Sequence, residues 1–230
     1  MFFAKGIIFV EGISEAILLP EIAKILDRPL EKYAVELVNV DSVAFSPFVN
    51  LFSSQNVQTC FSKVAIVTDD DRCTKKSETN YINKDFDYDD VNSDISGKLL
   101  SGTPSERCNE LETSCRAVGI NVFKATKTLE YALCCDENNI EYFIEAIKSE
   151  YSQLGPALEQ KVNSLHDMNE KAACVWLFIR AREKCKGAIA QYISQIIKKQ
   201  CEMRKRGENI EKEFVIPDYL KEAVYCVTER

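Results

Sequence analysis

Two runs of this chain are apolar without interruption, and each leads directly into acid. Gly6-Ile7-Ile8-Phe9-Val10 is followed by Glu11-Gly12-Ile13-Ser14-Glu15, and Lys63-Val64-Ala65-Ile66-Val67-Thr68 by Asp69-Asp70-Asp71. A strand with one wet face alternates apolar and polar residues. A strand buried on both faces does not, so these runs predict central strands of a parallel sheet covered by helices. Ligands of such sheets bind beyond the carboxyl ends of the strands. The acids therefore stand where chemistry is expected. Glu11 ends the first strand and Glu15 begins the following helix. Asp69 and Asp71 are two apart, so in an extended segment they point the same way while Asp70 points elsewhere.

The remaining pattern supports an α/β class. Ser14 can cap a helix carrying Ile17, Leu18, Ile22 and Ile25 at helical spacing, stopped by Asp27-Arg28-Pro29. Ala34 to Val40 reads as a strand, Phe45 to Phe52 as a helix, and Ile120 to Phe123 as a fourth short strand, preceded by a helix from Pro104-Ser105 to about Val118. Between Asp71 and Gly102 the chain is polar and acidic and reads as a long mobile loop. From Asn138 onward the period is helical, with breaks expected at Gly155-Pro156 and Gly187 and a short helix after Pro217. We expect a core over 1–135, a helical insertion over 136–183, and a helical segment over 184–230 that completes the site.

Composition narrows the class. No apolar run approaches the roughly 20 residues that span a bilayer, and the apolar start Met1-Phe2-Phe3 lacks a basic leader and cleavage site, so a cytoplasmic location is expected. Ten cysteines are scattered without a CxxC pair and with His166 the lone histidine; reduced, mostly buried thiols fit better than disulfides or zinc. The net charge is -7, yet Arg180 to Arg206 holds nine basic residues and two acidic ones. An acidic front half suits cation binding and a basic later segment suits phosphates, although a solvated helix face gives the same pattern.

Carboxylates gathered at strand ends repel and raise one another's pKa unless a cation compensates, which favours a hard, oxygen-seeking ion such as Mg²⁺ or Mn²⁺. Taken singly, each acid could equally cap a helix or lie on a wet rim. Two pairs at the ends of two buried strands make the metal site the better reading.

The strings Val10-Glu11-Gly12-Ile13-Ser14-Glu15 and Ile66-Val67-Thr68-Asp69-Asp70-Asp71 resemble the glutamate and DxD motifs of Toprim domains. With FFAKGIIFVEGISEAILLP and the later Lys127-Thr128-Leu129-Glu130-Tyr131, the chain resembles the C-terminal Toprim region of the OLD (overcoming lysogenization defect) family of ATP-linked endonucleases. That resemblance implies a Rossmann-like parallel sheet of about four strands with an added helical subdomain, and two-metal hydrolysis of DNA in phage defence or DNA repair. It assigns Glu11, Asp69 and Asp71 to one ion, and Glu15 and Glu130, with the Thr128 hydroxyl, to the second. Lys186, in Lys184-Cys185-Lys186-Gly187-Ala188-Ile189-Ala190-Gln191, is the candidate for stabilising phosphate charge, with Lys184 two residues away as its rival. Two departures stand out. Val40-Asp41-Ser42 replaces a glycine pair, and no GxxxxGK[ST] loop occurs, so the ATPase implied as a partner is not encoded in this chain. The competing expectations are a non-catalytic Toprim-like module that docks on an ATPase and, further off, strand transfer or primer synthesis.

Overall fold

In a computed structural model, which describes residues 4–53 and 63–229, the two apolar runs lie side by side at the centre of a four-stranded parallel sheet. Met1 to Phe3 and Cys60 fall outside the described residues. The elements follow as β1 (Gly6–Val10), α1 (Ile13–Ile25), β2 (Val35–Asn39), α2 (Ser46–Ser53), β3 (Lys63–Asp69), α3 (Ser93–Ser101), α4 (Glu106–Ala117), β4 (Asn121–Ala125) and α5 (Leu129–Cys134). The helices α6 (Glu137–Glu150), α7 (Leu154–Ser164), α8 (Met168–Ala181), α9 (Lys186–Lys205) and α10 (Asp218–Thr228) complete the chain. Strand order is β2-β1-β3-β4, and Val10 stands opposite Val67 in register.

Side-chain alternation explains why two strands need no polar face. Ile8 and Val10 of β1, with Ala65 and Val67 of β3, pack into the larger core, which also holds residues of α1 and of α5 through α10. Ile7, Phe9, Val64 and Ile66 point the other way, against Phe45 and Val49 on the α2 side and Leu111 and Cys115 of α4. Both faces are thus dry, as uninterrupted apolar strands require. Helix α9 runs along α1, and α10 packs across β1, β3 and β4. At Gly6 an added Cβ would lie 3.0 Å from the Val227 carbonyl oxygen, so the missing side chain lets α10 approach the sheet. Of the nine described cysteines, all free thiols, seven are buried. No helix among the described residues is long and apolar enough to cross a membrane.

Three local expectations need correction. The stretch read as a long mobile loop between Asp71 and Gly102 contains a 3-10 turn at Tyr88–Asp90 and the helix α3. Polar residues of the stretch act locally: Asp87 caps the turn and Asn92 caps α3. Arginines from α8 and its end hold it down, Arg180 donating to the carbonyls of Asn83 and Phe86, and Arg182 gripping Asp87 with two bonds of 2.8 Å. Ser14 does not cap α1. Gly12 occupies the N-cap without a side-chain bond, and the Ser14 hydroxyl turns toward Glu130. Finally, the helices do break beside Gly155-Pro156 and Gly187, but a few residues earlier, at 151–153 and 182–185, so that Gly155-Pro156 lies in the first turn of α7 and Gly187 in that of α9. Pro tolerates a first turn because the N–H it lacks has no helical partner there. Gly155 is small for packing, since a Cβ would come within 2.6 Å of Lys148 Cα on α6.

Replacing Gly6 with Val should force β1 and α10 apart. We expect a loss of about 1–3 kcal/mol, the usual cost of overpacking, read as a lower urea midpoint with an unchanged m-value.

Candidate metal centre

The carboxyl edge of the sheet places the acids by backbone geometry. Because β1 and β3 are neighbours in register, Glu11 and Asp69 leave adjacent strands at nearly the same height. The Thr68 hydroxyl donates to Glu11 Oε2 at 2.6 Å, and the Asp69 N–H approaches the same oxygen at 3.4 Å. Glu15, on the first turn of α1, is buried, as is Glu130 on the first turn of α5. Asp69 Oδ1 accepts the Leu129 N–H at 2.9 Å, which draws α5 toward β3. Lys186, the first residue of α9, brings its Nζ to 3.8 Å from Glu130 Oε1. Glu11, Glu15, Asp69, Glu130 and Lys186 line one cavity of about 220 Å³ together with Asp41.

Asp71 and Thr128 are placed differently. Strand β3 stops at Asp69, and Asp71 adopts a left-handed φ of 51°, so the extended alternation expected through residue 71 does not continue. Its carboxylate meets Arg107 Nη2 at 2.6 Å. The Thr128 hydroxyl caps α5, accepting the Tyr131 N–H. Asp70 points elsewhere, as expected: its carboxylate is held by Arg72 through side chain and backbone and by the Lys127 N–H.

Charge at this edge is under-compensated. Burial, and next the field of Glu130, push Glu15 from 4.5 up to about 7. Burial raises Asp69 well above the usual aspartate range, with Glu15, Glu130, Glu11 and Asp71 adding to it. Glu130 is the chief reason the Lys186 ammonium is held above its ordinary 10.5, so the lysine stays charged. The donor set is all carboxylate oxygen, the chemistry that suits a hard divalent cation. Among the described residues no three of these acids are yet drawn together closely enough to hold an ion.

Four contributors escaped the sequence reading. Arg107 binds Asp71 and also lies 3.8 Å from Glu11. Thr68 orients Glu11. Asp41, at the position of the missing glycine pair, takes a left-handed φ of 52°, which aspartate tolerates better than most residues. Tyr219 of α10 has a buried hydroxyl without a hydrogen-bond partner among the described residues. Burial, then Asp69, Glu15 and Glu130, raise that phenol well above 10 and keep it neutral. The basic segment is also narrower than its composition implied. Arg180 and Arg182 clamp the 83–87 stretch, Arg204 pairs with Glu213 and Arg206 with Glu208, leaving Lys184, Lys198, Lys199 and Lys205 exposed.

Residues 2–71 match the family model described as overcoming lysogenization defect protein-like, TOPRIM domain. This segment is similar to the OLD-like Toprim family. The fold extends the likeness over the chain. It is similar to the C-terminal region of the Xanthomonas campestris pv. campestris OLD protein, with a TM-score of 0.58 and 21% identity over 100% of this chain and 97% of that one. It is also similar to the C-terminal region of the Burkholderia pseudomallei OLD protein, with a TM-score of 0.55 and 21% identity over 98% of each chain. No curated protein matches the sequence.

The sign of the Glu15 shift gives a test on metal-free protein. A carboxyl raised on folding favours the native state most below its unfolded pKa, and that contribution disappears as pH rises through the folded value. With EDTA present, Glu15 should lower the melting temperature between about pH 4.5 and about 7, and Glu15→Gln should flatten the slope in differential scanning calorimetry.

Proposed function

We propose that this chain is a divalent-metal-dependent nuclease domain that hydrolyses DNA phosphodiester bonds. The observation that carries the reading is the convergence of Glu11, Glu15, Asp69 and Glu130 with Lys186 on one cavity at the carboxyl edge of a Toprim sheet. Toprim domains as a class bind divalent metals, and carboxylates raised by mutual repulsion are the groups a cation would relieve.

In this reading Glu11, Asp69 and Asp71 would hold one ion, and Glu15 and Glu130 would hold the second with the Thr128 hydroxyl close by. The chemistry such ions supply is Lewis-acid stabilisation of the attacking and leaving oxygens of a phosphodiester. The chain's own residues do the rest. Thr68 fixes the carboxylate of Glu11, and Leu129 N–H fixes that of Asp69. Lys186 keeps a proton and so presents a cation to a phosphate oxygen as negative charge builds there. The exposed lysines of α9, Lys198, Lys199 and Lys205, supply backbone contacts that weaken with salt. An ATPase, fused or separate, governs access to the site, consistent with the likeness to C-terminal regions of OLD proteins.

Plasmid and linear DNA incubated with Mg²⁺, Mn²⁺ or EDTA tests this reading. Cleavage should require the metal. Glu11→Ala and Asp69→Ala should lower both Mn²⁺ affinity and cleavage by about 100-fold or more, at least the loss seen when a group supporting a metal ligand is removed. Lys186→Ala should lower cleavage by roughly 10²–10³ while calorimetry shows Mn²⁺ affinity little changed. Cleavage indifferent to both acid substitutions would sink the assignment, and metal binding without cleavage would point to a docking module.

A further inference from the structure

Arg107, on the first turn of α4, reaches Asp71, Asp69 and Glu11, whereas Lys186 reaches Glu130. Its Nη2 lies 2.6 Å from Asp71 Oδ2, 3.3 Å from the Asp69 carbonyl oxygen and 3.8 Å from Glu11 Oε2. These contacts fall on the three residues that the DxD and glutamate motifs assign to a single ion. The other terminal nitrogen, Nη1, is buried with no hydrogen-bond partner among the described residues. The guanidinium is therefore strongly held on one side and unsatisfied on the other.

The same side chain borders a second cavity of about 260 Å³ between α2 and α4. Glu110 and Ser114, at three and seven residues along α4, line it from the same helix face, and Ser46 lines it from α2. A guanidinium leaving the acids would find both space and an oppositely charged acceptor there.

We propose that Arg107 is the resident counter-cation of the metal-free site, the group a divalent ion must displace from Asp71 and Glu11, and that it is received on release by the Glu110 cavity. The inference rests on the reading of these acids as metal ligands. The oxygen that accepts Nη2 at 2.6 Å cannot give the same lone pair to a metal, and a guanidinium cannot lose its charge to make way. Neutralisation by Arg107 also removes part of the repulsion that would otherwise drive ion uptake. A purely structural role, in which Arg107 braces α4 against the strand ends, makes the opposite prediction, because removing a brace disorders ligands and loosens the metal.

Calorimetric titration of the full chain with Mn²⁺, beside melting curves in EDTA and in Mn²⁺, separates the two. Arg107→Gln should bind Mn²⁺ several-fold to about tenfold more tightly than wild type, melt lower in EDTA, and gain more on adding Mn²⁺. Arg107→Lys, which retains the charge, should stay near wild type. Glu110→Gln, outside the acid edge, should weaken Mn²⁺ binding a few-fold by removing the receiving carboxylate. An unchanged or weaker affinity in Arg107→Gln overturns the proposal. If that variant does not fold, Glu110→Gln decides, with unchanged affinity counting against it. Wild type that binds Mn²⁺ beside an Arg107→Gln that binds no better defeats this inference alone. A wild type and variants that all bind no Mn²⁺ defeat the metal reading and this inference with it.

Discussion

Asp70 fixes the edge on which the candidate site stands, although it faces away from the cavity. Its backbone N–H reaches the Ala125 carbonyl at the end of β4, and its own carbonyl accepts the Ser105 N–H at the start of α4. Its carboxylate takes the Lys127 N–H and the Arg72 guanidinium. One buried residue thus joins β3, β4, α4 and the turn into α5. A half-satisfied buried carboxylate would be costly, whereas this one is saturated with donors, and breaking such a pair leaves an uncompensated charge. Asp69, Asp71, Arg107 and Glu130 all hang from the elements it ties together.

Restraint has a local cost. Asp41, Asp71, Cys73 and Lys127 all have positive φ, and they follow β2, β3 and β4 at the same edge. Non-glycine residues hold such conformations only where surrounding bonds over-determine them. Lys127 illustrates how. Its N–H is fixed by Asp70, its ammonium bonds the Arg72 carbonyl at 2.7 Å, and its charge lies over the Trp176 ring. Burial lowers its pKa, so the anchoring bonds must offset a real desolvation penalty. The helical half of the chain, through Trp176, is therefore part of what holds the strand ends in place.

What could be read from sequence was what depends on period and proximity. The strand interiors at Gly6 to Val10 and Val64 to Val67 have no polar side chain to accommodate, so burial on two faces was their natural fate, and the acids after them had to emerge at one edge. Glu130 was legible because it follows β4 closely. Arg107 was not, since it sits 36 residues from Asp71 on a helix with an ordinary mixed surface, and nothing in its neighbours marks it. The acidic run around Asp85 to Asp90 misled for a related reason: its partners, Arg180 and Arg182, are far along the chain, and composition cannot show that a charge has a distant counterpart. The same pairing removed arginines from the basic segment that composition had offered to phosphates.

The position of α10 across β1, β3 and β4, close enough that Gly6 can have no side chain, has a consequence for how the molecule comes into being. The face formed by Ile8, Val10, Ala65 and Val67 is synthesised before α9 and α10, which supply much of its cover. Contacts so distant in sequence close slowly, and the bare face is exposed to association until they do. A nascent chain halted before α9 would already carry the clustered acids while lacking Lys186 and the α10 seal. The assembled edge is therefore complete only once α9 and α10 have been made and have packed.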